Sequence, residues 1–191
     1  MSFLMTAAPA VEPITLADAK THCRIEGTSE DAYIASLIVT SRLQIEAALG
    51  LAMITQSWRW TLDAWPTGSI IELPMRPVQS IESLELVHTT GPTTPVAPAS
   101  YRLDGLANPA RLALTTLSLP LPDTITNGIA IAFTAGFGAS ASDVPEPIRH
   151  ATLLLVAHWY ECREPAPAGM RHIPIPSTID MLLAPYRTVR L

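Results

Sequence analysis

A short helix is predicted near the start of the chain, where apolar positions begin to recur at three- and four-residue steps. Thr15 can accept hydrogen bonds from the free amides of a helix start, and Asp18 suits the positive end of that helix. The helix is therefore predicted to begin at Leu16 and to end at about Cys23.

A longer helix is predicted to begin within residues 28–31 and to stop at Gly50, because glycine readily adopts the left-handed conformation that ends helices. Arg42 and Glu46 are expected on its exposed side. The positions expected on its buried side share one face at helical spacing and are Ile34, Leu37, Ile38, Ser41, Ile45, Ala48 and Leu49.

Strand-like alternation replaces the helical period from Thr55 onward. Trp58, Trp60 and Leu62 alternate with the polar residues Arg59 and Thr61. This alternation favours a core role for the tryptophans over ligand stacking. Further strand candidates, separated by turns that contain proline and glycine, lie at 70–73, 81–87, 101–103, 112–114 and 129–133. Together they predict a small antiparallel sheet of hairpins.

A third helix, again a long one, is predicted after Asp143. Asp143 can form a capping box with Glu146, and the helix should run to about Glu164. It is apolar nearly all round, so we expect it to be buried between the sheet and the early helices. Prolines then prevent helix formation up to residue 176. Ser177 is expected to cap a last short helix that Pro185 ends.

Composition predicts a soluble globular protein with a real core. The chain has 191 residues, 48% of them hydrophobic, and a formal net charge of −5. No run of Lys or Arg could hold nucleic acid tightly, and no apolar run is long enough to span a membrane. Two distant cysteines without a CxxC pairing suit reduced thiols, so we expect a cytoplasmic protein.

A loose glycine motif begins at Gly136, where G-F-G-A-S-A follows a strand-like segment and precedes a helix. A dinucleotide fold also needs a parallel strand and an acidic residue further along, but only a proline-rich tail follows. His158 and Cys162 lie four residues apart without further ligands at metal-binding spacing. The sequence therefore predicts a turn at the glycines, no metal, no cofactor and no catalytic residues.

The end of the chain is the strongest candidate for partner binding. A short apolar helix follows the proline-rich spacer and has few apolar neighbours in sequence to pack against. Docking back onto its own domain and insertion into a partner's groove both remain open.

The order of these segments resembles the head–tail connector, or adaptor, family of tailed bacteriophages and gene transfer agents. The resemblance covers nearly the whole chain. It rests on L-A-D-A-K-T-H-C-R-I-E, D-A-Y-I-A-S-L-I, Q-S-W-R-W-T-L-D-A-W-P, I-E-L-P-M-R-P-V-Q-S-I, A-F-T-A-G-F-G, V-P-E-P-I-R-H-A, W-Y-E-C-R-E and L-L-A-P-Y-R.

The resemblance implies an α+β fold, in which a helical bundle carries an inserted antiparallel β-rich part and an extended C-terminal arm. The expected parts are N-terminal core helices at 1–54, the β-rich insertion at 55–135, a buried core helix at 136–164, and a proline-rich linker with the arm at 165–191.

The implied function is a structural, non-enzymatic one in the virion neck, with assembly in the host cytoplasm. Copies would form a ring of roughly twelve on the portal protein, contact the next neck protein, a stopper or tail terminator, and let DNA pass without specific binding. The residues implied to bind the portal are Ile179, Met181, Leu182, Leu183, Pro185, Tyr186, Arg187, Arg190 and Leu191. The alternatives are a stopper or tail-completion protein, or a small enzyme that binds a nucleotide at the Gly136 loop.

Overall fold

The computed structural model describes residues 2–90, 92–105, 107–116, 119–163 and 175–187. Its helices are α1 (Leu16–Cys23), α2 (Asp31–Leu49), α3 (Glu146–Glu161) and α4 (Ser177–Leu183). Its strands are β1 (Ser2–Ala7), β2 (Gln56–Leu62), β3 (Ile70–Glu72), β4 (Val78–Leu86), β5 (Thr94–Pro95), β6 (Tyr101–Asp104), β7 (Arg111–Leu114) and β8 (Ile129–Ala135). These helices and antiparallel strands confirm the predicted α+β class.

Two compact units divide the chain. Residues 1–10 and 50–137 form the β unit, and residues 11–49 and 138–191 form the helical unit. The first ten residues therefore differ from the expected division, which assigned 1–54 to helices. Strand β1 pairs with β2, and Ser2 lies opposite Thr61, which is 59 residues further along the chain. Its sequence, S-F-L-M-T-A, lacks the apolar and polar alternation that would have indicated a strand.

The β unit contains two antiparallel sheets rather than the single one expected. Five strands lie in the order β1-β2-β8-β4-β5, and three lie in the order β3-β7-β6. Strand β8 lies between β2 and β4, and it places Ile131 and Phe133 in a fully buried position. Ile71 and Leu112 of the three-stranded sheet belong to the same apolar core as Ile131 and Phe133 of the five-stranded sheet.

The tryptophans pack against this core, as predicted. Trp58, Trp60 and Trp65 are partly buried beside it. The ring of Phe3 stacks on Trp58 with centroids 4.5 Å apart, which attaches β1 to the rest of the sheet. The Trp65 indole nitrogen donates to the Pro120 carbonyl at 2.9 Å.

Local signals place both N-terminal helices where they were predicted. The Asp18 amide donates to the Thr15 hydroxyl at 3.0 Å, and the Asp18 carboxylate accepts from the Thr15 amide at 3.1 Å. This reciprocal capping box begins α1. Helix α2 ends before Gly50, which has a φ of 63°.

The charged side chains of α2 contradict the prediction. Arg42 and Glu46 are each only 5% exposed, whereas Ala48, predicted to be buried, lies at the surface. The Arg42 guanidinium donates to the Glu46 carboxylate at 3.0 Å and to both oxygens of Glu12 at 2.8 and 3.3 Å. Burial opposes the charge of Arg42, but the two carboxylates more than compensate and raise its pKa.

Helix α3 differs from the prediction at both ends. A capping box does form, but between Ser140 and Asp143, on a 3-10 turn before the helix. The helix itself ends at Glu161, before the expected Glu164. Burial is confined to one side, and within the helical unit α3 contacts α1, α2 and α4.

Candidate partner-binding surface

Helix α4 and the 3-10 turn that follows it carry six of the nine residues expected to bind a partner. The helix begins directly after Pro176, so Ser177 is its first helical residue and not the predicted cap. The Ile179 amide donates to the Pro176 carbonyl at 3.0 Å. A 3-10 turn, Ala184–Tyr186, continues the helix, as expected for a chain in which Pro185 prevents further α-helix.

Two of the predicted arm residues are buried within the helical unit. Ile179 and Leu183 lie four positions apart, which places them on the same side of α4, and α4 packs against α3. These two side chains hold the helix on its own unit in the isolated chain. Among the described residues of the predicted set, Met181, Leu182, Pro185, Tyr186 and Arg187 are exposed or half-buried.

The opposite side of α4 is accessible. Met181 is 73% exposed, and Pro185 and Arg187 also lie at the surface, while Leu182 and Tyr186 are half-buried. Arg187 pairs with Asp180 at 2.8 Å across this side. Arg190 and Leu191 lie outside the described residues. The result is a small surface with one large apolar side chain beside an exposed ion pair.

A tyrosine–arginine cluster holds the end of α3, where the chain leaves towards the proline-rich linker. Arg163 donates to the Glu30 carboxylate at 2.6 Å, and the Tyr160 hydroxyl donates to the other oxygen of Glu30. The guanidinium carbon of Arg163 lies 4.8 Å from the Tyr33 ring centre and 4.1 Å from that of Tyr160.

The pKa values within this cluster reflect the same contacts. The hydrogen bond from Arg163, followed by that from Tyr160, lowers the pKa of Glu30. The bond to Glu30 raises the pKa of Tyr160. This cluster could not be predicted from the sequence, because Glu30 and Arg163 are 133 residues apart. No local sequence pattern indicates that the two residues are in contact.

Gly136 is required by backbone geometry. Its φ is 141°, and a Cβ atom there would approach the Ile54 carbonyl carbon and the Thr55 nitrogen to 2.6 Å. Its amide donates to the Pro77 carbonyl at 2.9 Å, and its carbonyl accepts from the Gln79 side chain at 2.8 Å. These contacts are those of a turn at the end of a strand.

Gly138 packs against an aspartate of its own unit. A Cβ atom on Gly138 would overlap the Asp143 carboxylate, which accepts from the Ser140 amide and hydroxyl, both at 2.9 Å. These hydrogen bonds, the backbone one first, lower the pKa of Asp143 and keep it ionised. An anionic side chain therefore occupies the part of the loop where the motif would require a phosphate.

Both cysteines are free thiols. Burial, with a smaller contribution from the charge of Glu161, raises the pKa of Cys23. Across the described ranges, no three His, Cys, Asp or Glu side chains come together in a way that could bind a metal ion. Within the same ranges, no helix has both the length and the apolarity needed to span a bilayer.

Comparison with known proteins connects these features to one family. The sequence profile described as Phage gp6-like head-tail connector protein matches residues 13–87. A chain in the structure titled "Neck of empty GTA particle computed with C6 symmetry" is 33% identical. That match covers 100% of this chain and 97% of the other, with a TM-score of 0.83.

Two further solved structures agree. Chains in "Virion of native gene transfer agent (GTA) particle" and "Neck of native GTA particle computed with C12 symmetry" are each 32% identical. Both have a TM-score of 0.81 and cover 100% of this chain and 97% of the other. Among curated proteins no significant match is found. With full-length similarity to neck proteins at this identity, the chain belongs to the head–tail connector family of tailed bacteriophages and gene transfer agents.

Proposed function

We infer that this protein is a structural head–tail connector in the neck of a phage-like particle. The observation that carries this inference is the match along the whole chain to a neck protein of a gene transfer agent particle, at 33% identity. The family profile, which names head–tail connectors, matches independently. No step in this function requires catalysis, and the proposal treats the protein as non-enzymatic.

A closed ring is the proposed assembly. The C12 symmetry of one similar neck structure supports about twelve copies, because head-to-tail contacts between identical subunits close into a ring when the rotation allows it. The formal charge of −5 suits a conduit for DNA, since a net negative protein gains little from releasing the counterions of the duplex. We propose that DNA passes through without specific binding.

The exposed side of α4 is the proposed portal-binding surface. Met181 supplies an apolar anchor, and Arg187 beside it supplies a guanidinium group, a combination that concentrates binding energy in protein interfaces. Ile179 and Leu183 take no direct part in this binding, because they hold α4 on α3. Tyr186 and Leu182 contribute the half-buried edge of the surface.

Replacement of Met181 tests this assignment without unfolding α4. Lysine is a good helix former, and Met181 makes little contact within the chain, so M181K should leave the melting temperature unchanged. We expect at least about a tenfold loss of binding to portal-containing heads, because a lysine would have to be desolvated in an apolar contact.

The control is L4K, which places a lysine on β1 at a residue that is also well exposed. Lysine on an edge strand is readily tolerated, so L4K should bind normally. Normal binding of M181K to these heads would show that α4 is not the portal contact.

A rigid loop in the β unit is the proposed contact with the next neck protein. Leu121 and Ile125 are 80% and 93% exposed. The loop is nevertheless well held: Asp123 accepts from His88 and from the Thr89 amide, and the Asn127 amide donates to Asp63. Two aliphatic side chains on a preorganised loop lose little entropy on docking.

The nucleotide-binding alternative is tested directly. Full-length protein titrated calorimetrically with a dinucleotide should give no saturable heat, because Asp143 repels phosphate at the glycine loop. Saturable binding that is lost in G138L, in a protein that still melts cooperatively, would contradict the proposal that the chain is only structural.

A further inference from the structure

The exposed side of helix α2 carries no charged residue between positions 32 and 48. Every exposed position from 32 to 48 is alanine, serine, threonine, glutamine, tyrosine, valine or leucine. We call these positions the outer face of α2. Its largest exposed side chains are Tyr33, Val39 and Leu43. A surface helix ordinarily shows charged residues on its solvent side, so this one has the composition expected of a covered surface.

The charges of α2 point inward instead. Arg42 and Glu46 are buried and pair with each other, and Arg42 also pairs with Glu12. Burying an ion pair brings little stability, because desolvation offsets the attraction between the charges. The arrangement therefore has no evident stability advantage over charged residues on the outside. It does leave the exposed positions from 32 to 48 without a charged side chain, and the guanidinium of Arg163, stacked on Tyr33, is the charge at one end of the face.

Two hydroxyl groups on the outer face already donate hydrogen bonds within the helix. The Ser36 hydroxyl donates to the Tyr33 carbonyl at 2.6 Å, and the Thr40 hydroxyl donates to the Ser36 carbonyl at 2.7 Å. Covering these hydroxyls by another protein surface would therefore leave no new unpaired donor. These two hydroxyls therefore add little to the cost of burying the face.

An apolar groove continues the outer face. Ala35, Ile38 and Val39 form one wall of an open groove of about 480 Å³, and Val11 and Ile14 contribute to its lining. The groove gives the flat helix face a recess into which side chains of another molecule can fit. The groove adjoins the outer face because both include Ala35 and Val39, and its polar lining residues are Glu12, Thr15 and Ser140.

We propose that the outer face of α2 and this groove form the contact between neighbouring copies of this chain in the neck ring. The proposal rests on the proposed function, and the C12 symmetry of a 32% identical neck structure supports a second copy of this chain as the occupant. In a ring built from head-to-tail contacts, each copy presents one such surface to a different surface of its neighbour. A helix about 28 Å long whose outer face lacks charged residues is well suited to this contact.

Photo-crosslinking in assembled particles tests the proposal. A benzophenone amino acid at Val39 of the full-length chain should give adducts between two copies of this chain when purified particles are illuminated. The same residue at Ile70, which is 48% exposed on β3, is the matched control and should give no such adduct. Adducts from Val39 to another protein, or none at all, would overturn the interface.

A charge substitution provides a second readout. Leu43 is 47% exposed, so L43K should melt like the parent protein but enter particles at least about tenfold less, because its ammonium group would be buried at the contact. I70K should enter particles normally. Equal incorporation of L43K and I70K would overturn the proposal. Absence of the unmodified chain from purified particles would instead contradict the proposed function itself.

Discussion

Two ion pairs, one in each unit of the chain, are placed in opposite ways. In the β unit, the pair Arg111–Asp104 lies at the surface, with both side chains more than 40% exposed, over a core built from apolar and aromatic residues. In the helical unit, Arg42 and Glu46 lie inside, and the outer face of α2 is neutral. Helix α2 therefore keeps its charges away from its own outer face, which we propose to be covered in the assembly, whereas exposed ion pairs occur elsewhere in the helical unit, as between Arg187 and Asp180.

Removal of the buried guanidinium should have the largest effect. R42M leaves Glu46 in its buried position without the guanidinium, which should destabilise the protein by about 3 kcal/mol or more. Urea denaturation measures the change. Hydrogen exchange should rise in the helices of the helical unit while the five-stranded sheet changes less.

The matched control is R111M in the β unit. Because the Arg111–Asp104 pair is exposed, its loss should change stability by no more than about 1 kcal/mol. Similar values for R42M and R111M would break the contrast between the two units.

A backbone substitution should have the next largest effect, this time in the β unit. In G136A the new Cβ would meet the Ile54 backbone in a conformation that alanine disfavours, so we expect a loss of about 1–3 kcal/mol. G68A is the control, since no atom lies near its Cβ position. A G136A protein as stable as G68A would show that the turn relaxes without cost.

Acid should have the smallest effect, and mainly on the helical unit. Hydrogen bonds from Thr15 and Ser140 lower the pKa values of Asp18 and Asp143 below the ordinary 3.8. A lowered native pKa means that the stabilisation is present above about pH 4 and is lost as the pH falls through the native values. Thermal melts between pH 5 and 2.5 should show this decrease, with a shallower slope in D143N. An equal slope in D143N would show that Asp143 does not contribute to the loss of stability in acid.

Local signals made the short elements predictable. The capping box at Thr15, the glycine after α2 and the alternation around Trp58 each depend on neighbours in sequence, and all were found where predicted. Strands β3, β4, β6, β7 and β8 were predicted from short apolar segments between turns, whereas the two-residue strand β5 was not predicted. The division of the strands into two sheets was not predicted either, because the pairing of strands depends on contacts distant in sequence.

Long-range contacts explain what the sequence could not show. Arg42 was expected outside because periodicity assigns charged residues to solvent, but its partner Glu12 lies 30 residues away. Strand β1 depends on β2 and on the stacking of Phe3 on Trp58. The spacing of Ile179 and Leu183 did indicate that the two side chains lie on the same side of a helix, which is the buried side of α4.

A reconstruction of the neck in particles that contain this chain tests the central claim most directly. The account predicts a ring of this protein directly on the portal, with the outer face of α2 against the next copy and Met181 against the portal. A reconstruction that places the chain elsewhere in the particle, or leaves both surfaces in solvent, would contradict it.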